Sequence, residues 1–141
     1  MKSESKKLLI NIIIKLMGEL ELLTIANDNL HLTIALNYGG QDEIVRATKK
    51  ISEKVKLGVL DIDDITVEMF SNNLDTFDLP DPDLVIRTSG EVRTSNFLPW
   101  QCAYSEYVFE KTNWPDFNND IYEEILLEFK NRERRFGAVL K

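Results

Sequence analysis

Cysteine is nearly absent from this chain: Cys102 is the only one among 141 residues. A single thiol excludes an internal disulfide framework and suits a reducing cytoplasm. Cys102 itself reads as a small buried hydrophobe. Basic charge is also short, with 17 Lys and Arg against 24 Asp and Glu and a formal net charge of −7. A broad nucleic-acid surface needs a basic excess, so this balance argues against nucleic acid as a partner. A transmembrane helix needs about 20 apolar residues, and the apolar run from Leu8 to Met17 is shorter and broken by Asn11 and Lys15. Lys6-Lys7 ahead of that run resembles the start of a signal peptide, but no small-residue cleavage site follows directly. The run reads instead as a helix buried on most of its circumference, or one missing a neighbour. Repeats, low-complexity stretches and internal linkers are lacking, and the length suits one domain with a real core but not two.

What is present alternates between helical and extended patterns. Residues from about Ser5 to Ala26 read as a helix, and Asn27-Asp28-Asn29 as a turn. The mostly apolar stretch Leu30–Tyr38 is expected to be a strand covered on both faces. After Gly39-Gly40, a helix capped by Asp42 is expected through Val55, ended by Gly58. A short helix from Asp61 towards Leu74 follows, with acids near its amino end. Leu84-Val-Ile86 and Tyr107-Val-Phe109 read as short strands, Trp100–Ser105 as helical, Trp114-Pro-Asp-Phe117 as a turn, and about Asp120–Phe136 as a last helix. Strands alternating with helices imply an α/β fold with a parallel sheet flanked by helices. Ligands in such sheets sit beyond the carboxyl ends of the strands, where Asn37-Tyr-Gly-Gly40 and Arg87-Thr-Ser-Gly-Glu91 fall.

The residues around the second of these segments carry chemistry. Arg87 and Arg93 offer planar, permanently charged forks that can neutralise a diphosphate with paired hydrogen bonds. Ser95 adds a hydroxyl near the start of the expected helix at 100–105, where free N–H groups favour anions. Glu106, at the far end of that helix, is the best candidate ligand for Mg²⁺, which takes carboxylate and phosphate oxygens. Each has a plainer reading: solvated surface arginines, a helix-capping serine, and one glutamate among many.

Asp83 to Phe97 runs on into Leu98-Pro-Trp-Gln-Cys-Ala-Tyr-Ser-Glu106 and then Trp114-Pro-Asp-Phe117. With Asn37-Tyr-Gly-Gly40, Asp42-Glu-Ile44 and Asn131-Arg-Glu-Arg-Arg-Phe-Gly137, these segments resemble the cis-prenyltransferase family, especially bacterial undecaprenyl diphosphate synthase. The resemblance runs from roughly Leu22 to Gly137. It implies an enzyme family that condenses isopentenyl diphosphate onto an allylic diphosphate with Mg²⁺. The product is a cis-polyprenyl diphosphate, the lipid carrier for cell-wall glycan synthesis. It implies that Arg87, Arg93 and Ser95 bind the diphosphate of isopentenyl diphosphate and that Glu106 helps hold Mg²⁺. Glu91, Asn37, Gly39 and Gly40 are implied as supporting residues. Arg135 and Gly137 match an Arg-x-Gly element that reaches a partner subunit's site across a dimer interface.

The resemblance also has gaps. The family's first motif, His-x-x-x-x-Asp-Gly-Asn-x-Arg-Trp-Ala, is missing, and the one histidine, His31, lies in an expected strand and reads as structural. No catalytic residue is therefore assigned. Gln41 stands where the family usually has arginine, and Pro99 where leucine is usual. The chain is expected to be the carboxyl-terminal part of the fold: one truncated domain over 1–141, with residues 1–21 an apolar helix at the edge of the resemblance. It is expected to be cytoplasmic, with peripheral membrane contact only through its product. Its partner would be a second copy or a complementing amino-terminal chain. The alternative is an inactive accessory subunit or a truncated gene product. A sheet without its first strands exposes an open edge and an apolar face, so the chain alone is expected to be poorly soluble or to pair.

Overall fold

The computed structural model describes residues 2–133. The chain divides into two compact units, 1–36 and 37–141. In the first, a helix α1 spans Lys2–Thr24. The Thr24 hydroxyl closes it by donating back to the Leu20 carbonyl at 2.9 Å. No helix among the described residues is long and apolar enough to cross a membrane. The expected strand at Leu30–Tyr38 is not formed: 30–36 is extended chain without ladder pairing. Leu30 and Leu32 are 83% and 72% exposed. An apolar segment becomes a strand only where another strand takes its N–H and C=O groups, and none is supplied to this one.

The second unit carries the expected parallel pair. Strand β1 is Leu84–Arg87 and strand β2 is Glu106–Phe109. Leu84 is in register with Glu106 and Arg87 with Phe109. Among the described residues these are the only two strands. Helix α2, Gly40–Lys56, lies on the sequence between the Gly39-Gly40 turn and Gly58. It ends as expected: Gly58 takes φ +69°, and the Leu57 and Gly58 amides donate to the Glu53 and Val55 carbonyls. Its start differs from expectation. The N-cap is Gly39, and Asp42 lies inside the first turn, where it accepts from Arg46 Nε at 2.8 Å.

The expected helix from Asp61 to Leu74 is split. A 3₁₀ turn at Ile62–Asp64 is capped by Asp61, and a short helix α3, Val67–Ser71, is capped by Thr66. The β-branched Ile65-Thr66 pair separates them in extended conformation. Residues 100–105 form successive turns rather than a helix. Ser95, Asn96 and Leu98 all take positive φ, and Pro99 brings no N–H, so the helix has no regular first turn to grow from. Helix α4, Asn119–Asn131, is capped by the Asn118 side chain and stops at Arg132. The expected extension to Phe136 runs partly outside the described residues.

The core of this unit is small: Ala47, Ile51, Leu74, Cys102 and Ile125, with Cys102 buried and unpaired as expected. Among the described residues the one fully buried large side chain is a carboxylate, Glu43. It accepts from the Tyr38 hydroxyl (2.5 Å), the Asp75 amide (2.8 Å) and Gln101 Nε2 (3.1 Å). Burial, and then the Glu43 carboxylate, push the Tyr38 hydroxyl far above its ordinary range, so it stays a donor. Glu43 thus ties α2 to the loops at 71–76 and 100–103.

A second tie is on the surface. Arg46 makes a paired contact to Asp75, at 2.7 and 2.6 Å. Those bonds hold the Asp75 carboxyl below the usual carboxylate range. A depressed carboxyl stabilises the fold above its unfolded range and ceases to as pH falls through the depressed value. Melting curves from pH 7 down to pH 2 should therefore show an acid limb that Asp75→Asn flattens. With Asp75's side chain 43% exposed, the effect is small. An unchanged limb in that variant would show that the pair contributes nothing.

Candidate diphosphate site at the strand ends

The β1–β2 pair positions the site. Side chains alternate along a strand, so Val85 and Arg87 share a face with their partners Tyr107 and Phe109. The Tyr107 and Phe109 rings stack there, 5.9 Å apart and 11° from parallel. Desolvation raises the Tyr107 hydroxyl above its ordinary range, with Cys102 adding to this. Beyond them opens a cavity of about 310 Å³. Arg87 and Arg93 line it, with Thr88, Ser89 and Phe97. The Nε of Arg87 is closed to solvent and has no hydrogen-bond partner.

The loop after β1 is fixed by the loop after β2. The Ser89 amide donates to the Thr112 carbonyl at 2.9 Å and the Gly90 amide to the Glu110 carbonyl at 2.8 Å. Glu110 in turn accepts from the Thr112 amide and hydroxyl, both at 2.8 Å. Those bonds, the amide's first, hold the Glu110 carboxyl below the usual carboxylate range. Gly90 takes φ +67°, which lets the chain reverse here without a side-chain penalty.

The candidate residues divide by place. Arg87 and Arg93 meet at the cavity, and Glu91 forms an ion pair with Arg93. Ser95 sits in an exposed turn at φ +49°, next to the cavity-lining Thr94 and not at a helix start. Asn37, at φ +54°, opens the turn of Gly39 and Gly40, which packs on the loop 96–99. Glu106 lies elsewhere. It begins β2 while Arg87 ends β1, about 10 Å further along the strand axis. By alternation its side chain leaves on the opposite face. There it accepts from Arg132 Nη1 at 3.1 Å, and the same nitrogen donates to the Tyr107 carbonyl. Glu128 binds the other end of that guanidinium at 2.6 Å. Among the described residues no group of three His, Cys, Asp or Glu side chains is arranged to hold a metal ion. The residues at the cavity thus do not by themselves fit Mg²⁺. Arg135 and Gly137 lie outside the described residues.

Two features were not singled out from sequence. Thr88, Ser89, Tyr107 and Phe109 line the cavity alongside the arginines. The buried Glu43 had a signal: it lies on the stripe Glu43, Ala47, Ile51 at i, i+4, i+8, the buried face of α2.

The second unit is thus an α/β unit with an arginine-lined cavity past the ends of its parallel strands, where ligands of such folds sit. The chain belongs to the putative undecaprenyl diphosphate synthase family, whose model matches residues 4–137. It is 52% identical over 113 residues to an isoprenyl transferase of Clostridium perfringens, covering 80% of this chain and 45% of that one. It is 54% identical over 116 residues to an isoprenyl transferase of Bacillus subtilis, covering 82% and 45%. Among solved structures it is similar to lavandulyl diphosphate synthase from Lavandula x intermedia in complex with dimethylallyl diphosphate (TM-score 0.80, 39% identity, 86% of this chain and 52% of that one). It is also similar to a probable undecaprenyl diphosphate synthase from Campylobacter jejuni (TM-score 0.70, 38% identity, covering 86% and 54%). The chain spans about half the length of the relatives it matches.

Proposed function

We propose that this chain carries the isopentenyl-diphosphate half of an isoprenyl transferase site and depends on another chain for the allylic half. The observation that supports this most is the cavity past the strand ends that Arg87 and Arg93 line together, where two charged forks can converge on one diphosphate. Arg87 and Arg93 would neutralise the diphosphate, and the Thr88 and Ser89 hydroxyls would add donors. Phe97, Tyr107 and Phe109 offer an apolar wall for the five-carbon group. In condensation the allylic C–O bond breaks and its electrons leave with the departing diphosphate. The new C–C bond forms from the isopentenyl double bond, which this chain would orient, and loss of a proton from the neighbouring carbon of the resulting cation restores a double bond. Mg²⁺, implied by the resemblance, would help stabilise the departing charge. Glu106, beside Arg132 on the other face, does not reach this cavity, so no step is assigned through it here. The Asp-Gly-Asn segment that the resemblance assigns to the allylic site is absent from the sequence. A second copy, or a complementing amino-terminal chain, is the proposed partner, with Arg135 and Gly137 crossing the interface and an apolar product bringing peripheral membrane contact in the cytoplasm.

The experiment mixes this chain with a full-length relative or an amino-terminal segment, isopentenyl diphosphate, an allylic diphosphate and Mg²⁺. Polyprenyl diphosphate formed beyond what the partner makes alone is the expected result. Binding of isopentenyl diphosphate without product from any partner would favour the second reading, a non-catalytic accessory chain. That reading draws on the absence of an Asp-Gly-Asn segment from these 141 residues.

A further inference from the structure

Asn96 lies between cavity-lining residues and is bonded to something else. Arg93, Thr94 and Phe97 face the cavity, while Asn96 turns to the amino end of α2. Its carbonyl accepts from the Gly40 amide at 2.9 Å and its side-chain Oδ1 from the Gln41 amide at 2.8 Å. These are two of the first amides of α2, which have no partner inside the helix. Gly39 gives α2 no side-chain cap, so Asn96 supplies that function from 55 residues away.

The fit is close enough to dictate Gly40 and is tight at Gly39. A Cβ on Gly39 would come within 3.1 Å of Asn96 Nδ2, and one on Gly40 within 2.0 Å of Pro99 Cδ. Asn96 also holds φ +67°, between Ser95 at +49° and Leu98 at +48°. Asparagine is among the few residues that tolerate this region. Beside the clasp, Tyr38 sets the edge of its ring against Phe97, 5.9 Å between centroids. The loop that presents Arg93 and Phe97 is thus held in an unfavourable backbone by a partner on another element.

We infer that Asn96 is a positioning residue for the diphosphate cavity: by clasping the amino end of α2 it holds the 93–98 loop in the form that presents Arg93 and Phe97. The inference rests on the reading of the cavity as a diphosphate site. The same two bonds occupy the Gly40 and Gln41 amides, so the amino end of α2 is a support for the site and not an anion cradle of its own.

Calorimetric titration of the full chain with inorganic diphosphate and with isopentenyl diphosphate tests it, alongside thermal melts. Wild type should bind. Asn96→Ala, losing the acceptor and the tolerated backbone, should bind about tenfold more weakly, the equivalent of one net hydrogen bond. Asn96→Gly keeps the backbone and loses only the acceptor, so it should fold even where the alanine variant does not, and still bind weakly. Asn96→Asp keeps acceptor and backbone and should recover the melting temperature, its added charge acting only on affinity. Wild-type affinity in a folded Asn96→Gly or Asn96→Ala protein would overturn the inference and leave the cavity reading intact. Failure of Asn96→Asp to melt above Asn96→Ala would also overturn it. A wild-type chain that binds neither ligand would overturn the cavity reading and this inference with it.

Discussion

Arg87→Met is expected to weaken diphosphate binding by about two orders of magnitude while leaving the melting temperature unchanged or raised. The two effects come from different parts of one side chain. In the free protein Nε is buried with no partner, so removing it relieves an unsatisfied donor and replaces it with an apolar chain of similar length. In the complex that fork would make charge-assisted bonds to phosphate, each contributing about 1.5–3 kcal/mol, and about 3 kcal/mol is more than a hundredfold in affinity. Arg87→Lys should recover charge but not the paired geometry, and so only part of the affinity. Arg93 is 62% exposed and already paired with Glu91, so Arg93→Met should cost less. Titration calorimetry beside scanning calorimetry reads both effects. A large fall in melting temperature for Arg87→Met would mean that the guanidinium supports the fold and is not held in reserve for a ligand.

The second large effect concerns stability. Glu43→Ala should destabilise residues 37–133 by about 3 kcal/mol or more, since the Tyr38, Asp75 and Gln101 donors all lose their acceptor in a place water does not reach. Domains commonly have only about 5–15 kcal/mol in hand, and this core is small. Glu43→Gln should cost less than half as much. Its amide can keep one oxygen on the Asp75 amide and turn its NH₂ towards Tyr38. The buried Gln101 Oε1, which has no partner, could then accept from it after an amide flip. Urea denaturation of the three proteins reports the ranking. Equal losses for Ala and Gln would mean that charge, and not acceptor count, is what the site requires.

How much of this was legible in the sequence depends on what each element needs. The β1 and β2 segments carry short apolar runs bounded by turns, and both appear with the parallel direction that alternation with helices implies. That Arg87 and Arg93 fall just past a strand end was legible in the sequence, and the structure brings both to one cavity. The apolar stretch at 30–36 was read as a strand because composition reports what a strand would bury and says nothing of whether a neighbour is there to pair with it. The helix that the sequence suggests at 100–105 does not form because the backbone ahead of it takes positive φ, with Asn96 bonded to the amino end of α2, 55 residues away. Glu43 escaped because an acid in a helix normally faces water, although its place on the Ala47–Ile51 stripe marks it as buried. The separation of Glu106 from the arginines followed only from register: spacing in sequence put it near them, and a parallel pairing of Leu84 with Glu106 put it at the other end.

The four-residue ladder has one further consequence. Parallel pairs this short have little stability of their own, and here the pairing continues past Arg87 and Phe109 into bonds from Glu110, Ser89 and Gly90. The last rungs of the sheet therefore hold the loop whose Thr88 and Ser89 line the cavity. Occupancy of the cavity and persistence of the sheet become linked equilibria, in which a ligand that binds only the closed form slows the opening of the ladder in proportion to its saturation. In such a chain the amides of Ser89 and Gly90 serve as a gauge of bound ligand, through the rate at which they exchange with solvent.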